Sequence, residues 1–409
     1  MTRVILTLNA GSSSVKFRLF GLEASLPALA DGKVVGIHER RTGQAVTPHA
    51  KQSDRRRGIS RPASGRPDKK VDGYPVFEAK SENDGAAEKR SLPDCASHEE
   101  ALDVILEWLQ RKGGKAWDVT VVAHRIVHGG ERFAEPALLT PSVVSYLETL
   151  CPLAPLHQAH NLACVKILAK RKPPILQYGC FDTAFHARHE KLFSVFALPA
   201  EIREKGVRRY GFHGLSYDWI AQCLRRDHPR LSKGRVVVAH LGNGASLCAM
   251  KNGKGVDTTM GMSTLEGLPM GTRCGNLDPG AFIFMQRNLR LSLDQVEHIL
   301  YEESGLLGLS GISNDVKTLS ESHHDNARFA LDYFAMKTAQ YIATMAVSMG
   351  GIDGLVFTGG IGENADNVRR MILKNLGFMP PFETLVIPTN EERGMAQKAY
   401  EFYKKEKAA

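Results

Sequence analysis

At 409 residues, 43% hydrophobic and 24% charged, the chain can build two or more cores and has the composition of an ordinary folded protein, which excludes collagen-like and disordered classes. Its apolar runs fall far short of the ~18 residues of a membrane span, and Met1-Thr2-Arg3 before a short strand-like run does not make a secretory signal, so the expected compartment is the cytoplasm. Seven scattered cysteines with no Cys-x-x-Cys pair argue against a zinc site or a disulfide framework, and the net charge of +9 is concentrated in one segment.

The first predicted element is a hairpin. Val4-Ile5-Leu6-Thr7-Leu8 and Val15-Lys16-Phe17-Arg18-Leu19-Phe20 are β-branched or apolar at strand length, and the small polar residues between them are turn formers. Gly11 and the hydroxyls of Ser12, Ser13 and Ser14 let N–H and O–H groups approach an anion closely. Lys16 adds a positive charge at the mouth. An ordinary serine-rich turn is the plainer alternative for this stretch alone.

Residues 40–70 hold ten Lys or Arg against two Asp, a local +8 (10 minus 2). The segment from about Arg40 to Ser91 reads as a long surface insertion, largely extended, and without interleaved aromatics it is not expected to bind nucleic acid. Ser97 with Glu100 suits a capping box for a helix whose Leu102, Ile105, Leu106 and Leu109 recur at helical spacing. Asp118 to Ala123 reads as a buried strand running into His124-Arg125-Ile126-Val127-His128-Gly129-Gly130. Strand ends followed by glycines are where open α/β sheets carry their chemistry.

That pattern is read again at Pro174 to Tyr178 before Cys180-Phe181-Asp182-Thr183, at Val207 to Tyr210 before Gly211-Phe212-His213-Gly214, and at Arg235 to His240 before Leu241-Gly242-Asn243-Gly244. Leu247-Cys248-Ala249-Met250 follows the last of these, so it echoes the opening hairpin. A phosphate turn built twice suggests an internal duplication with a nucleotide clamped between the halves. A helix from about Ala327 to Met349 is expected to turn Phe329, Tyr333, Met336, Ala339, Tyr341 and Ile342 inward and to stop at Gly350-Gly351. The strand Leu355 to Thr358, a glycine-rich turn over Gly359 to Asn364 and a helix from Asn367 to Leu376 form an adenosine- or phosphate-cradling unit.

Taken together, Asn9 to Phe17, His124 to Gly130, Leu153 to His157, Phe181 to His186, Tyr210 to Gly214, His240 to Gly244, Met270 to Arg273, Gly360 to Asn364 and Pro388 to Glu392 resemble the acetate kinase family over nearly the whole chain. The resemblance implies an α/β fold of the actin, sugar-kinase and heat-shock-chaperone ATPase type, duplicated, with two domains and an interdomain cleft. The expected boundaries are an N-terminal domain over 1–182 carrying the insertion at about 40–91, a nucleotide-binding domain over 183–392, and a C-terminal helix over 393–409 packing back on the first. The implied reaction is reversible transfer from ATP to acetate, giving ADP and acetyl phosphate, in a homodimer and with Mg²⁺ or Mn²⁺. Propionate or butyrate is the alternative acceptor, and a non-catalytic nucleotide- or RNA-binding member is the remaining alternative.

Acetate arrives ionised at neutral pH, so no general base is required; the work is to hold two anions in line and neutralise charge on the transferring phosphoryl. Arg125 and Arg273, each near glycines, suit bidentate grip of carboxylate or phosphoryl oxygens. By resemblance Arg125 holds the substrate carboxylate, Arg273 and His213 stabilise the equatorial oxygens, and Asp182 is the catalytic carboxylate, expected mainly to orient an arginine or the metal shell. Val127, Leu156, Phe212 and Thr264 are implied around the substrate methyl. Lys16, His240, Leu241, Gly242, Asn243, Gly244, Asp315, Val316, Lys317, Gly360, Ile361, Gly362, Glu363 and Asn364 are implied around the nucleotide, and Asn9 and Glu391 at the metal. His157 is a weaker candidate.

Four departures from the family pattern stand out: the basic segment, Thr264 where some members have proline, Lys317 where arginine is frequent, and a shortened connection between Phe378 and Val386 on the way to Glu391.

Overall fold

The structure, a computed structural model, describes residues 1–11, 13–37, 74–82, 85, 87–92, 95, 97–114, 116–155 and 157–408. Strands β1 (Thr2–Ala10), β2 (Ser14–Gly21), β3 (Ala28–Val35), β4 (Val76–Ser81), β5 (Ala87–Ser91), β6 (Trp117–Ile126), β7 (Ala137–Leu138) and β8 (Leu176–Phe181) form one sheet in the order β5-β4-β3-β2-β1-β6-β8-β7. Strands β9 (Arg235–Leu241), β10 (Ala245–Lys251), β11 (Lys254–Thr258), β12 (Gly354–Thr358) and β13 (Glu383–Val386) form a second, in the order β11-β10-β9-β12-β13.

Both sheets contain the same unit. An antiparallel meander, β3-β2-β1 in one and β11-β10-β9 in the other, is extended beside its first strand by two parallel strands, β6 and β8 or β12 and β13. The echo between the two small polar turns is therefore a duplication of topology, as expected of the actin-like α/β class.

Central strands read as continuous apolar runs because both faces are covered. In β1, Val4, Ile5, Leu6, Thr7 and Leu8 are all buried. Leu6 and Leu8 pack with Leu102, Ile105 and Trp108 of the helix His98–Gly113. On the other face, Ile5, Val121 and Ala123 meet Met395, Ala396 and Ala399 of the C-terminal helix Glu391–Ala408. The second sheet is covered by the helix Asp325–Met349 on one face and by Gly214–Asp227 on the other. Among the described residues no helix is long and apolar enough to cross a membrane.

Four local expectations change. The end of the segment read as an irregular insertion forms β4 and β5, with Phe77 and Ala79 in the core; the period-two burial of Phe77, Ala79 and Ser81 is masked in the sequence by the charges around it. Residues 38–73, which hold the local +8, lie outside the described residues. Val207 to Tyr210 is not a strand: Arg209 N–H donates to Ser194 and Tyr210 N–H to Gly261, neither of them a ladder partner. Gly359–Asn364 closes into a short helix instead of an open turn. Phe329 and Met336 face outward, 55% and 45% exposed, while Ala327, Ala330, Leu331, Phe334 and Ala335 form the buried stripe. The shortened connection still contributes the edge strand β13, paired in parallel with β12.

Candidate active site

The chemistry-bearing side chains gather at the C-terminal ends of the parallel strands of both sheets, the position open α/β sheets favour. Arg125 is the second-last residue of β6 and Asp182 follows the last residue of β8, with which β6 pairs. This register sets the two side chains side by side. Arg125 Nε donates to Asp182 Oδ1 at 3.0 Å and Nη2 donates to Oδ2 at 2.8 Å, a bidentate pair. Arg125 Nη1 lies 3.1 Å from Glu391 Oε2. One guanidinium thus holds the ends of two strands and the start of the C-terminal helix.

Asp182 and Arg125 are 3% and 19% exposed in their side chains. Burial raises the Asp182 carboxyl above the usual carboxylate range, and Arg125 opposes that rise. Burial lowers the Arg125 guanidinium too, but Asp182 and Glu391 outweigh it and the net direction is upward. The bidentate contact thus favours the charged forms of both partners against the burial that disfavours them.

His213 reaches the same place from the start of the helix that covers one face of the second sheet. It precedes the helix Gly214–Asp227 in the left-handed conformation, φ 57°, a region uncommon for a non-glycine residue. Gly214 N–H donates to the Asp182 carbonyl at 2.9 Å, and a Cβ on Gly214 would lie 2.2 Å from that oxygen, so only glycine lets the two chains approach. The His213 ring stacks on His240, centroids 4.4 Å apart. Burial, then His240, Arg125 and Arg273, hold His213 well below the ordinary histidine pKa. His157 is pushed down to about 4 by burial with Arg273 and Arg125 nearby, which adds it to the cluster.

Arg273 donates to the Thr264 carbonyl at 3.3 Å and lies over the Tyr301 ring, 5.9 Å from its centroid. Among the described residues no carboxylate forms an ion pair with it, and burial lowers its pKa. The turn after β9 is locked to this loop: Gly271 N–H donates to the Asn243 carbonyl at 3.0 Å, and a Cβ on Gly271 would lie 1.9 Å from Asn243 Oδ1. Val127 and Phe212 are buried in a shared core cluster; Leu156 lies outside the described residues.

The residues implied around the nucleotide divide by what they already do. The Leu241 and Val316 side chains are core, as suits two apolar residues, which leaves their backbone to face a ligand. Asp315 caps the helix Val316–Glu321 by accepting from Thr318 N–H at 2.8 Å, which holds its carboxyl low. Glu363 Oε1 accepts from both Gly359 N–H and Thr389 N–H at 2.9 Å, tying the end of β12 to the segment before Glu391. Asn364 Nδ2 donates to the Gly360 carbonyl, and Gly362 and Ile361 pack toward the core. His240 Nδ1 is hydrogen-bonded to Ser216 Oγ. Gly242, Gly244, Asn243, Gly360 and Lys317 are partly or fully open. Lys16 shares a groove with Arg18, Lys33 and Glu392.

Asn9 pairs with Lys16 near the tip of the first hairpin. An amide oxygen there and the Glu391 carboxylate are hard donors of the kind Mg²⁺ takes. Among the described residues no three His, Cys, Asp or Glu side chains converge as a metal site. An ion at Glu391 would therefore complete its shell from phosphates and water.

Several organising residues carried no signal in the sequence. Asn161, buried in the helix Gln158–Ala169, accepts from Val127 N–H at 2.9 Å and donates to the Ala10 carbonyl. It thereby fixes the end of β1 to the loop after Arg125. Gln158 accepts from His128 N–H and donates to the His128 carbonyl, and Thr183 Oγ1 accepts from Gly129 N–H at 3.0 Å. Only their place opposite strand ends, invisible without the fold, distinguishes them from any buried amide or hydroxyl.

The profile of the acetokinase family matches residues 74–397. An acetate kinase of Methylocella silvestris is 40% identical over 386 residues, covering 93% of this chain and 88% of that one. An acetate kinase of Deinococcus radiodurans is 39% identical over 382 residues, covering 91% and 86%. Among solved structures, the acetate kinase of Porphyromonas gingivalis superposes with a TM-score of 0.80 at 31% identity, over 98% of this chain and 100% of that one. A propionate kinase of Francisella tularensis gives 0.83 at 29%, over 98% and 99%. By the profile and by these identities over nearly its full length, the chain belongs to the acetokinase family.

Proposed function

We propose that the chain transfers a phosphoryl group reversibly between ATP and acetate, giving ADP and acetyl phosphate. The observation that carries this reading is the convergence of two guanidinium groups, Arg125 and Arg273, on a histidine kept neutral by burial. Such a set binds two anions and stabilises charge developing between them. It has no need of a base, because the carboxylate nucleophile is already ionised.

In this reading Arg125, aimed by Asp182, grips the substrate carboxylate with its remaining N–H groups. The carboxylate oxygen attacks the γ-phosphorus in line, its bond to phosphorus forms as the bond to the β,γ-bridging oxygen breaks, and ADP leaves with that electron pair. Arg273 and His213 donate to the equatorial oxygens. Asn9 and Glu391 would hold a divalent cation, which neutralises phosphate charge when bound. The two sheets with their helices, 1–182 and 183–392, serve as the halves of the clamp.

Acetate is favoured over propionate by the space beside Thr264. The crevice bounded by Leu153, Ala154, Pro155, Thr264 and Tyr301 has about 10 Å³, room for about one water. Purified protein with ATP, Mg²⁺ and hydroxylamine is expected to form acyl hydroxamate most efficiently from acetate, with propionate lower by about 10- to 200-fold in kcat/KM. A higher kcat/KM on propionate would assign the chain to that acid. No hydroxamate from any acid, with salt-sensitive RNA binding instead, would sink the reading.

A homodimer is proposed on the outer face of the second sheet's helices. Phe329, Tyr333, Met336 and Val347 form one outward stripe on the helix Asp325–Met349, and the helix Pro279–Arg287, which carries exposed Ile283 and Phe284, has no buried residue at all. Apolar helix faces of this kind mark interaction surfaces, and a self-complementary patch closes as a two-fold pair. Light scattering is expected to give twice the 45.0 kDa chain mass, and Phe284→Glu with Met336→Glu to give the monomer. A wild-type monomer at micromolar concentration contradicts this.

A further inference from the structure

We infer that Ser246 and Tyr217 are positioning residues that fix the tautomer of His213, keeping its proton on Nε2 as a hydrogen-bond donor toward the transferring phosphoryl group. The inference rests on the placement of His213 against that group proposed above. The left-handed backbone of His213 sends its ring toward β10. There Nδ1 lies 2.8 Å from Ser246 Oγ, and the same Oγ is hydrogen-bonded to the hydroxyl of Tyr217, one turn further along the helix Gly214–Asp227. Ser246 and Tyr217 are both fully buried, so water does not stand in for a missing partner.

Three groups joined by two hydrogen bonds allow three arrangements, because the central hydroxyl donates one proton and can accept two. If His213 Nδ1–H donated to Ser246, one hydroxyl proton would have no acceptor among the described residues: that of Tyr217 where Ser246 donates to it, or that of Ser246 where Tyr217 donates to the serine instead. In the third arrangement Tyr217 donates to Ser246 and Ser246 donates to the Nδ1 lone pair. Every hydroxyl proton is then used, and no buried donor is left unmatched. The His213 proton is thereby placed on Nε2. A doubly protonated ring does not arise, because burial and the neighbouring His240, Arg125 and Arg273 keep the imidazole neutral.

Nε2 faces the turn after β9. A Cβ on Gly244 would lie 3.5 Å from His213 Nε2 and 3.7 Å from Arg273 Nη1, so the two donors converge where the glycine leaves room. A neutral Nε2–H stabilises a phosphoryl oxygen without adding a second buried cation beside Arg273. The opposite tautomer would present a lone pair to that oxygen and repel it. The serine behind His213 is thus a functional position, although in sequence it is only the small residue after the Gly242 to Gly244 turn.

The test uses the full chain labelled with ¹⁵N-histidine. Long-range ¹H–¹⁵N spectra of the resting enzyme, with His213→Gln to assign the ring, are expected to show the Nε2–H form. Ser246→Ala is expected to abolish that preference and to lower kcat by about 10- to 100-fold, with KM for acid and ATP within about twofold. Tyr217→Phe keeps the serine donor, so it is expected to weaken the preference and cost less in kcat; it serves alone if the alanine variant does not fold. An Nδ1–H ring in the resting enzyme overturns the inference, and so does a serine variant with unchanged kcat or with its loss confined to KM. The spectrum needs no turnover: a wild-type chain with the Nε2–H form and no acyl phosphate would refute the proposed function and leave the tautomer assignment standing.

Discussion

Arg125→Ala is expected to lose about a thousandfold in kcat/KM for the carboxylate, equivalent to about 4 kcal/mol, and about 3 to 5 kcal/mol of stability with it. Both losses follow from one guanidinium that grips the proposed substrate and also neutralises Asp182, which is only 3% exposed, and Glu391. Without Arg125, the Asp182 carboxyl, already raised by burial, loses the charge that opposes the rise. A carboxyl whose folded-state pKa lies above its unfolded value lends stability that is full below the unfolded pKa and lost as pH rises through the folded one. The deficit of the alanine variant against wild type should therefore widen from acid to neutral pH. Arg125→Lys keeps the charge without the fork and should recover stability more fully than turnover. Urea unfolding across pH and the hydroxamate assay read the two effects separately; a pH-independent deficit, or turnover within about tenfold of wild type, contradicts this account.

What was legible in the sequence was whatever lies within one strand and its turn. The hairpin around Asn9 to Lys16 and its echo after His240 could be seen because small polar residues interrupt apolar runs, and the duplication of topology follows the same punctuation. Arg125 and Asp182 could be placed at strand ends, but not on each other, because that contact depends on the register of β6 against β8. Glu391 on Arg125, Asn161 between Ala10 and Val127, and Ser246 behind His213 are contacts across long stretches of chain, which no local pattern encodes. Where two apolar stripes run along one helix, periodicity shows both without saying which faces the core. Periodicity alone turns Phe329 and Met336 inward, whereas the small Ala327, Ala330 and Ala335 allow the closer approach to the sheet.

Arg273→Met should separate stability from activity in the opposite sense. Arg273 is substantially buried, is lowered by that burial, and has for partners a carbonyl and an aromatic ring instead of a carboxylate. Its desolvation outweighs the favourable fields of Tyr301 and Glu302 until an anion arrives, a cost proteins accept at functional sites. Methionine fills a similar volume, keeps a contact with the Tyr301 ring and removes the buried charge. The empty variant is therefore expected to melt a few degrees higher than wild type, while turnover falls by about 10³- to 10⁵-fold, the range of an arginine that stabilises a transferring phosphoryl. Nucleotide should raise the melting temperature of wild type more than that of the variant, because only wild type regains in the complex what it lost by burying the cation. A variant that melts lower than wild type would mean that Arg273 is held for packing, and retained turnover would remove it from the site.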